Sequence, residues 1–240
     1  MRVLIALGGH ALLRRGVAIE PDARQREIDA AAQALAQIAV EHEVVVAHGS
    51  GAEVGSILEL GLRNAIPERE VVTVLPRVVI DADDAARGAR SEPPLTRPHA
   101  IVGLRSIRAL IDAGALVICA TGEGAPVAID GDGTMHGVDA EIDKDLVAGL
   151  LARRLDADLL LLLTDVDAVY LGWGFDYACT LGTASPAQLR EHGFEPHSIG
   201  PKVEAACGFV EATGRRAAIG ATADAAEMFR GTAGTQISAG

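Results

Sequence analysis

Four short apolar runs, at 3–7, 44–47, 116–120 and 159–163, are each bounded by glycine or turn residues and separated by helical stretches at about 21–41, 52–64 and 144–155. The runs are too short for core helices, and they are apolar throughout rather than at every second residue. That combination specifies parallel strands buried on both faces, because each strand must return through a crossover helix that then covers the sheet. The expected fold class is therefore α/β, with a mostly parallel sheet, in one domain over residues 1–240.

Elsewhere the pattern predicts a hairpin from strands at 127–130 and 135–138, a helix at 101–113, and a short strand at 169–170 leading to a loop with Trp173 and Phe175. Helices are expected at about 186–191, 202–213 and 223–229, with closing strands at 216–219 and 235–237. The proline-rich stretch at 71–98 reads as an edge excursion or a reduced lid.

A net charge of −12, with four Phe, two Tyr and one Trp, argues against binding nucleic acid or anionic membrane. No apolar run approaches the roughly 20 residues of a membrane-spanning helix. The five apolar residues before Gly8 are too few for a signal sequence, so a cytoplasmic location is expected. Cys119, Cys179 and Cys207 are widely spaced and read as reduced structural residues. His42, His99, His136, His192 and His197 read as surface or structural, and no metal-binding set emerges among them.

An acidic protein that handles an anion needs a local positive site. Nineteen of the 21 basic residues are Arg, and the two lysines are Lys144 and Lys202. An ammonium is a compact point charge, whereas guanidinium is a wide planar fork, so a site shaped around one phosphoryl oxygen can require lysine. Lys144 lies in Asp143-Lys144-Asp145 at a helix start, where Asp143 can cap the helix and Asp145 can hold the lysine. Lys202 follows Gly200-Pro201 at the next clear helix start, with Pro where its missing N–H costs nothing.

Glycine loops follow three of the strands: Gly8-Gly9, Gly49-Ser50-Gly51 and Gly122-Glu123-Gly124. Glycine lets backbone N–H groups approach phosphate oxygens, and the carboxyl edge of an open α/β sheet is where ligands sit. The fourth strand ends in Thr164-Asp165-Val166-Asp167, with Tyr170 beyond, placing a hydroxyl and carboxylates where they can line a nucleotide pocket. No Walker-type or GxGxxG motif is present, which points to phosphate chemistry in another fold.

These stretches, with 142–146, 198–205 and the closing Gly231-Thr232-Ala233-Gly234-Thr235, resemble the amino-acid-kinase superfamily, and carbamate kinases most closely. The resemblance implies a three-layer αβα sandwich, usually a homodimer. It implies an acceptor side at about 1–120 and a side binding ATP or ADP with Mg2+ at about 121–240. It further implies that Lys144 and Lys202 contact the transferring phosphoryl group and that Asp145 organises them. Gly8, Gly9, Asp143, Thr164, Asp165, Val166, Tyr170, Gly200 and Pro201 would serve the nucleotide. His10, Gly49, Ser50, Gly51, Gly122 and Gly124 would serve the acceptor. The implied reaction is reversible phosphoryl transfer between ATP and carbamate, giving ADP and carbamoyl phosphate.

The chain departs from carbamate kinases on the acceptor side. His10 and Ser50 stand where they carry Asn, Ala52-Glu53 replaces Pro-Gln, and Glu123 enters a loop that is normally glycine-rich. Their projecting subdomain carries another functional lysine, and none occurs between Val71 and Pro98 here. Two alternatives follow: a same-fold kinase of another small acid or phosphate ester, and a nucleotide-binding regulatory protein without turnover.

Overall fold

The computed structural model describes residues 1–8, 21–80, 96–121, 126–140, 142–195 and 198–240. Its main sheet is built on β1 (Arg2–Leu7), β2 (Glu43–His48), β3 (Val71–Val74), β6 (Leu116–Ala120), β9 (Leu159–Thr164) and β13 (Arg216–Ala221), all mutually parallel. β12 (Thr183–Ala184) and β14 (Thr235–Ile237) complete it, β14 running antiparallel to β13, in the order β12-β14-β13-β9-β1-β2-β6-β3.

Alternate residues of the same strands feed opposite cores. Val3, Ile5, Val44, Val46, Leu159 and Leu161 pack with α1 (Pro21–Ala39), α2 (Gly51–Ala65) and α7 (Ala225–Arg230). Leu4, Ala6, Val45, Ala47, Leu160 and Leu162 pack with α3 (Leu104–Asp112), α4 (Lys144–Arg154), α5 (Pro186–Arg190) and α6 (Gly200–Thr213). Burial on both faces is why these strands read as continuous apolar runs, and it makes the chain the expected α/β three-layer sandwich.

Outside the main sheet, β4 (Arg77–Ile80), β5 (Pro98–Val102), β7 (Val127–Ile129) and β8 (Met135–Gly137) form a second sheet, in the order β5-β4-β7-β8. β10 (Val169–Leu171) and β11 (Cys179–Leu181) form an antiparallel ribbon. The hairpin expected at 127–138 is present, but the start of the helix expected at 101–113 is not. Pro98–Val102 pairs with β4 as a strand, and Gly103, at φ 88°, turns the chain into α3. Only glycine enters that conformation without strain. Within 71–98, β3 is an edge strand of the main sheet and β4 belongs to the second; residues 81–95 lie outside the described set.

Cys119 and Cys207 are buried, and burial pushes their thiols up to about 12 and about 11, the range of inert core cysteines. Cys179, expected to be structural, is instead exposed on β11. Among the described residues, no helix is long and apolar enough to cross a membrane.

Candidate active site

Parallel strands deliver their carboxyl ends to one edge, where β1 runs into Gly8, β2 into Gly49, β6 into Thr121 and β9 into Asp165. Backbone pairing continues past the strand ends: Gly8 N–H donates to Leu163 O at 3.2 Å, and Thr121 N–H to His48 O at 2.8 Å. The edge therefore enters the site as a rigid rim.

Helix α4 starts at that rim. The Asp143 carboxylate accepts from the N–H groups of Asp145 at 2.7 Å and Leu146 at 3.2 Å, satisfying donors that a helix start otherwise leaves open. Burial, then the neighbouring Asp145, raises the Asp143 carboxyl above the usual carboxylate range, opposed by Lys144 and the two N–H groups. α6 starts beside it, with Pro201 in its first turn. Gly200 N–H donates to Glu195 O at 3.0 Å, and a Cβ at Gly200 would stand 2.7 Å from that oxygen, so only glycine allows this approach.

Small residues bring the two helices together, a Cβ at Gly149 of α4 reaching to 3.2 Å from Ala205 of α6. Their close packing carries both lysines onto one carboxylate. Lys202 Nζ donates to Asp145 Oδ2 at 2.8 Å, and Lys144 Nζ lies 3.5 Å from the same oxygen. Asp145 and Lys202 are buried, whereas the Lys144 side chain is 29% exposed. Two cations share this one anion, so positive charge on Lys144 is left facing the partly desolvated cavity, where it can attract an incoming anion.

The stem of Lys144 lies flat over Gly49. A Cβ there would come within 2.8 Å of its Cδ and 3.1 Å of its Cβ. Gly49 is thus required for steric approach, whereas Gly51, at φ 92°, is required for backbone conformation where α2 begins.

Lys144 and Lys202 face a cavity of about 550 Å³. Gly8, Asp143, Thr164, Asp165 and Val166 line its strand side, and Tyr170, Trp173 and Phe175 its ribbon side. His192, Gly193 and Phe194 close the far wall. The size and the mixture of apolar walls with convergent polar groups suit a small organic ligand.

A family model described as the amino acid kinase family matches residues 1–221. The chain belongs to the amino acid kinase family. Within it, the chain is 38% identical to the carbamate kinase of Rhizobium meliloti (strain 1021), over 99% of this chain and 93% of that protein. It is 32% identical to the carbamate kinase of Haemophilus influenzae, over 99% and 96%. Among solved structures, the carbamate kinase from Giardia lamblia bound to AMP-PNP superimposes with a TM-score of 0.91 at 28% identity, over all of this chain and 98% of that one.

The alignment with the Rhizobium amino acid kinase runs over 305 positions although this chain has 240 residues, so 65 or more of those positions are gaps in this chain. Both proteins are covered almost end to end, so the gaps are internal.

Of the site residues expected from sequence in this family member, Gly8, Asp143, Lys144, Thr164, Asp165, Val166, Tyr170 and Lys202 converge on the large cavity, with Asp145 bridging beneath. Gly200 and Pro201 instead line an adjoining groove of about 410 Å³, beyond His192 and Phe194. Gly49 and Ser50 sit at the β2–α2 junction, and the Ser50 hydroxyl is buried with no hydrogen-bond partner among the described residues. Gly9, His10, Gly122 and Gly124 lie outside the described residues. His192, read from sequence as surface or structural, is on the cavity wall. Trp173 and Phe175 were legible only as loop residues, although two large aromatics flanking a glycine beside the Asp-rich turn were a usable signal.

Proposed function

We propose that this chain catalyses reversible transfer of a phosphoryl group between ATP and carbamate, forming ADP and carbamoyl phosphate. The observation that carries the proposal is the convergence of the chain's two lysines on the buried Asp145 carboxylate, at 2.8 and 3.5 Å, beside the cavity. Family membership and the relatives' names support it.

In this reading the nucleotide occupies the large cavity, with its phosphates toward the first turns of α4 and α6, where helix N-termini add favourable potential. It enters as its magnesium complex. Mg2+ would take one or two carboxylates, for which Asp143, Asp165 and Glu195 are the acidic residues lining the cavity. A carbamate oxygen attacks the γ-phosphorus as the bond to the β–γ bridging oxygen breaks, and ADP leaves with that oxygen. Charge accumulates on the three equatorial oxygens, so positioning and electrostatics dominate the catalysis. Lys144 and Lys202 neutralise those oxygens, and Asp145 holds both ammonium groups so that little reorganisation accompanies the reaction.

The acceptor binds on the N-terminal half, at the Gly49-Ser50-Gly51 turn, and the nucleotide on the C-terminal half. The enzyme works in the cytoplasm as a homodimer, a state that light scattering reads as twice the monomer mass.

Incubation with carbamoyl phosphate and MgADP, with ATP measured through a coupled reaction, is expected to show enzyme-dependent ATP formation. Folded protein that makes no ATP overturns the assignment. A second reading, a kinase for another small acid or phosphate ester, is favoured by the buried Ser50 hydroxyl, which has no hydrogen-bond partner among the described residues, and by the internal residues missing relative to the relatives. We place those missing residues in the proline-rich stretch at 71–98. ATP consumption with another acceptor, but not with carbamate, selects this reading.

A further inference from the structure

Thr235 closes the glycine-threonine stretch near the C-terminus and touches neither lysine nor the cavity, yet it holds one wall of that cavity in place. It is fully buried on β14. Its hydroxyl oxygen accepts the Val169 N–H at 2.8 Å, and the hydroxyl donates to the Leu181 carbonyl at 2.5 Å. Val169 and Leu181 are register partners at the base of the β10–β11 ribbon. One side chain therefore stitches the two ribbon strands together and ties them both to the main sheet.

The ribbon is otherwise held at its base by the buried Val169 side chain and by the Gln236 N–H, which donates to Gly182 O at 2.9 Å. Each strand is three residues long, and an isolated two-stranded hairpin is marginal in water. Beyond its base it carries Tyr170, Trp173 and Phe175 along the cavity. Tyr170 and Trp173 meet edge to face at 4.9 Å, and Phe175 stacks on Tyr177 at 5.1 Å, so the tip is ordered within itself. Its position relative to Thr164, Asp165 and the lysines is set at the base. There the preceding turn also packs tightly: a Cβ at Gly220 would stand 2.8 Å from the Asp167 carbonyl oxygen.

We infer that Thr235 is a positioning residue for the nucleotide, acting through the β10–β11 ribbon rather than by contact. The inference rests on reading the large cavity as the nucleotide site. Thr235→Val keeps shape and strand propensity but leaves the Val169 N–H and the Leu181 carbonyl unpaired in a buried place. Thr235→Ser keeps the hydroxyl.

The test is made on the full chain. In nucleotide-free protein, the amides of Val169 and the ribbon should exchange faster in Thr235→Val than in wild type, while those of β9 keep their protection. In the ATP-forming direction, the KM for MgADP should rise about tenfold, the size expected from one buried polar interaction, with kcat at saturation unchanged. Thr235→Ser should restore both. Unchanged ribbon exchange overturns the inference, as does faster exchange with unchanged KM, or a fall in kcat alone. Thr235→Ala serves should the valine variant not fold, and failure of both to fold makes Thr235 a general core residue and also overturns it. Wild-type protein that makes no ATP counts against the catalytic reading instead. In that event MgADP binding, read by the fluorescence of Trp173, the single tryptophan, replaces KM, and weaker binding by Thr235→Val still upholds the inference while equal or absent binding overturns it.

Discussion

Lys144→Ala will lower turnover roughly 10²–10³-fold, the scale of removing one charge-stabilising group from a transition state, and will leave the unfolding transition close to wild type. The two effects separate because of where the side chain sits. Its ammonium is 3.5 Å from Asp145 Oδ2 and its side chain is 29% exposed, so truncation removes charge from the cavity without stranding a buried partner. The Lys202–Asp145 hydrogen bond at 2.8 Å stays intact. Steady-state kinetics and a denaturant titration on the same sample decide the matter. Turnover near wild type in the folded variant would remove Lys144 from the chemistry.

Asp145→Asn should damage both stability and activity. Its carboxylate is buried, and the Lys202 ammonium bonded to it is almost as inaccessible. Neutralising one member of a buried pair strands the other charge, which costs about 3–5 kcal/mol. Turnover falls as well, because both lysines lose their shared anchor. Adding Lys202→Met should recover part of the stability, since it removes the stranded buried charge, yet no turnover should return. That non-additivity is the signature of a coupled pair. An Asp145→Asn variant that unfolds at the wild-type denaturant concentration would show that the buried pair carries no such weight.

The two lysines stood out in the sequence because Arg occupies every other basic position, and both fall in first turns of helices. The resemblance implied that Asp145 organises both; what no local pattern showed was the contact that does it. Asp145 lies next to Lys144 in the chain, but its hydrogen bond goes to Lys202, 57 residues away. No local pattern encodes a contact that depends on how closely α4 and α6 pack at Gly149 and Ala205. Pro98–Val102 is similar in kind. Its residues suit either a strand or the approach to a helix, and pairing with β4 decided between them. The place of Trp173 and Phe175 on the cavity wall, and the bonds of Thr235 to the ribbon, were not readable in the same way, because short strands have weak periodicity and their partners come from distant elements.

By itself, the sequence determined the α/β class, the helix starts at Asp143 and Gly200, and the pairing of glycine turns with strand ends. These follow from local forces: apolar runs, caps, and the conformational freedom of glycine. Only the tertiary structure decided that Lys144 and Lys202 meet on a buried carboxylate, that Gly49 must be bare for Lys144 to cross it, and that a hydroxyl on the last strand pins the aromatic wall. Those are long-range contacts, set by the packing of whole elements against one sheet, and packing on that scale is invisible to any window of neighbouring residues.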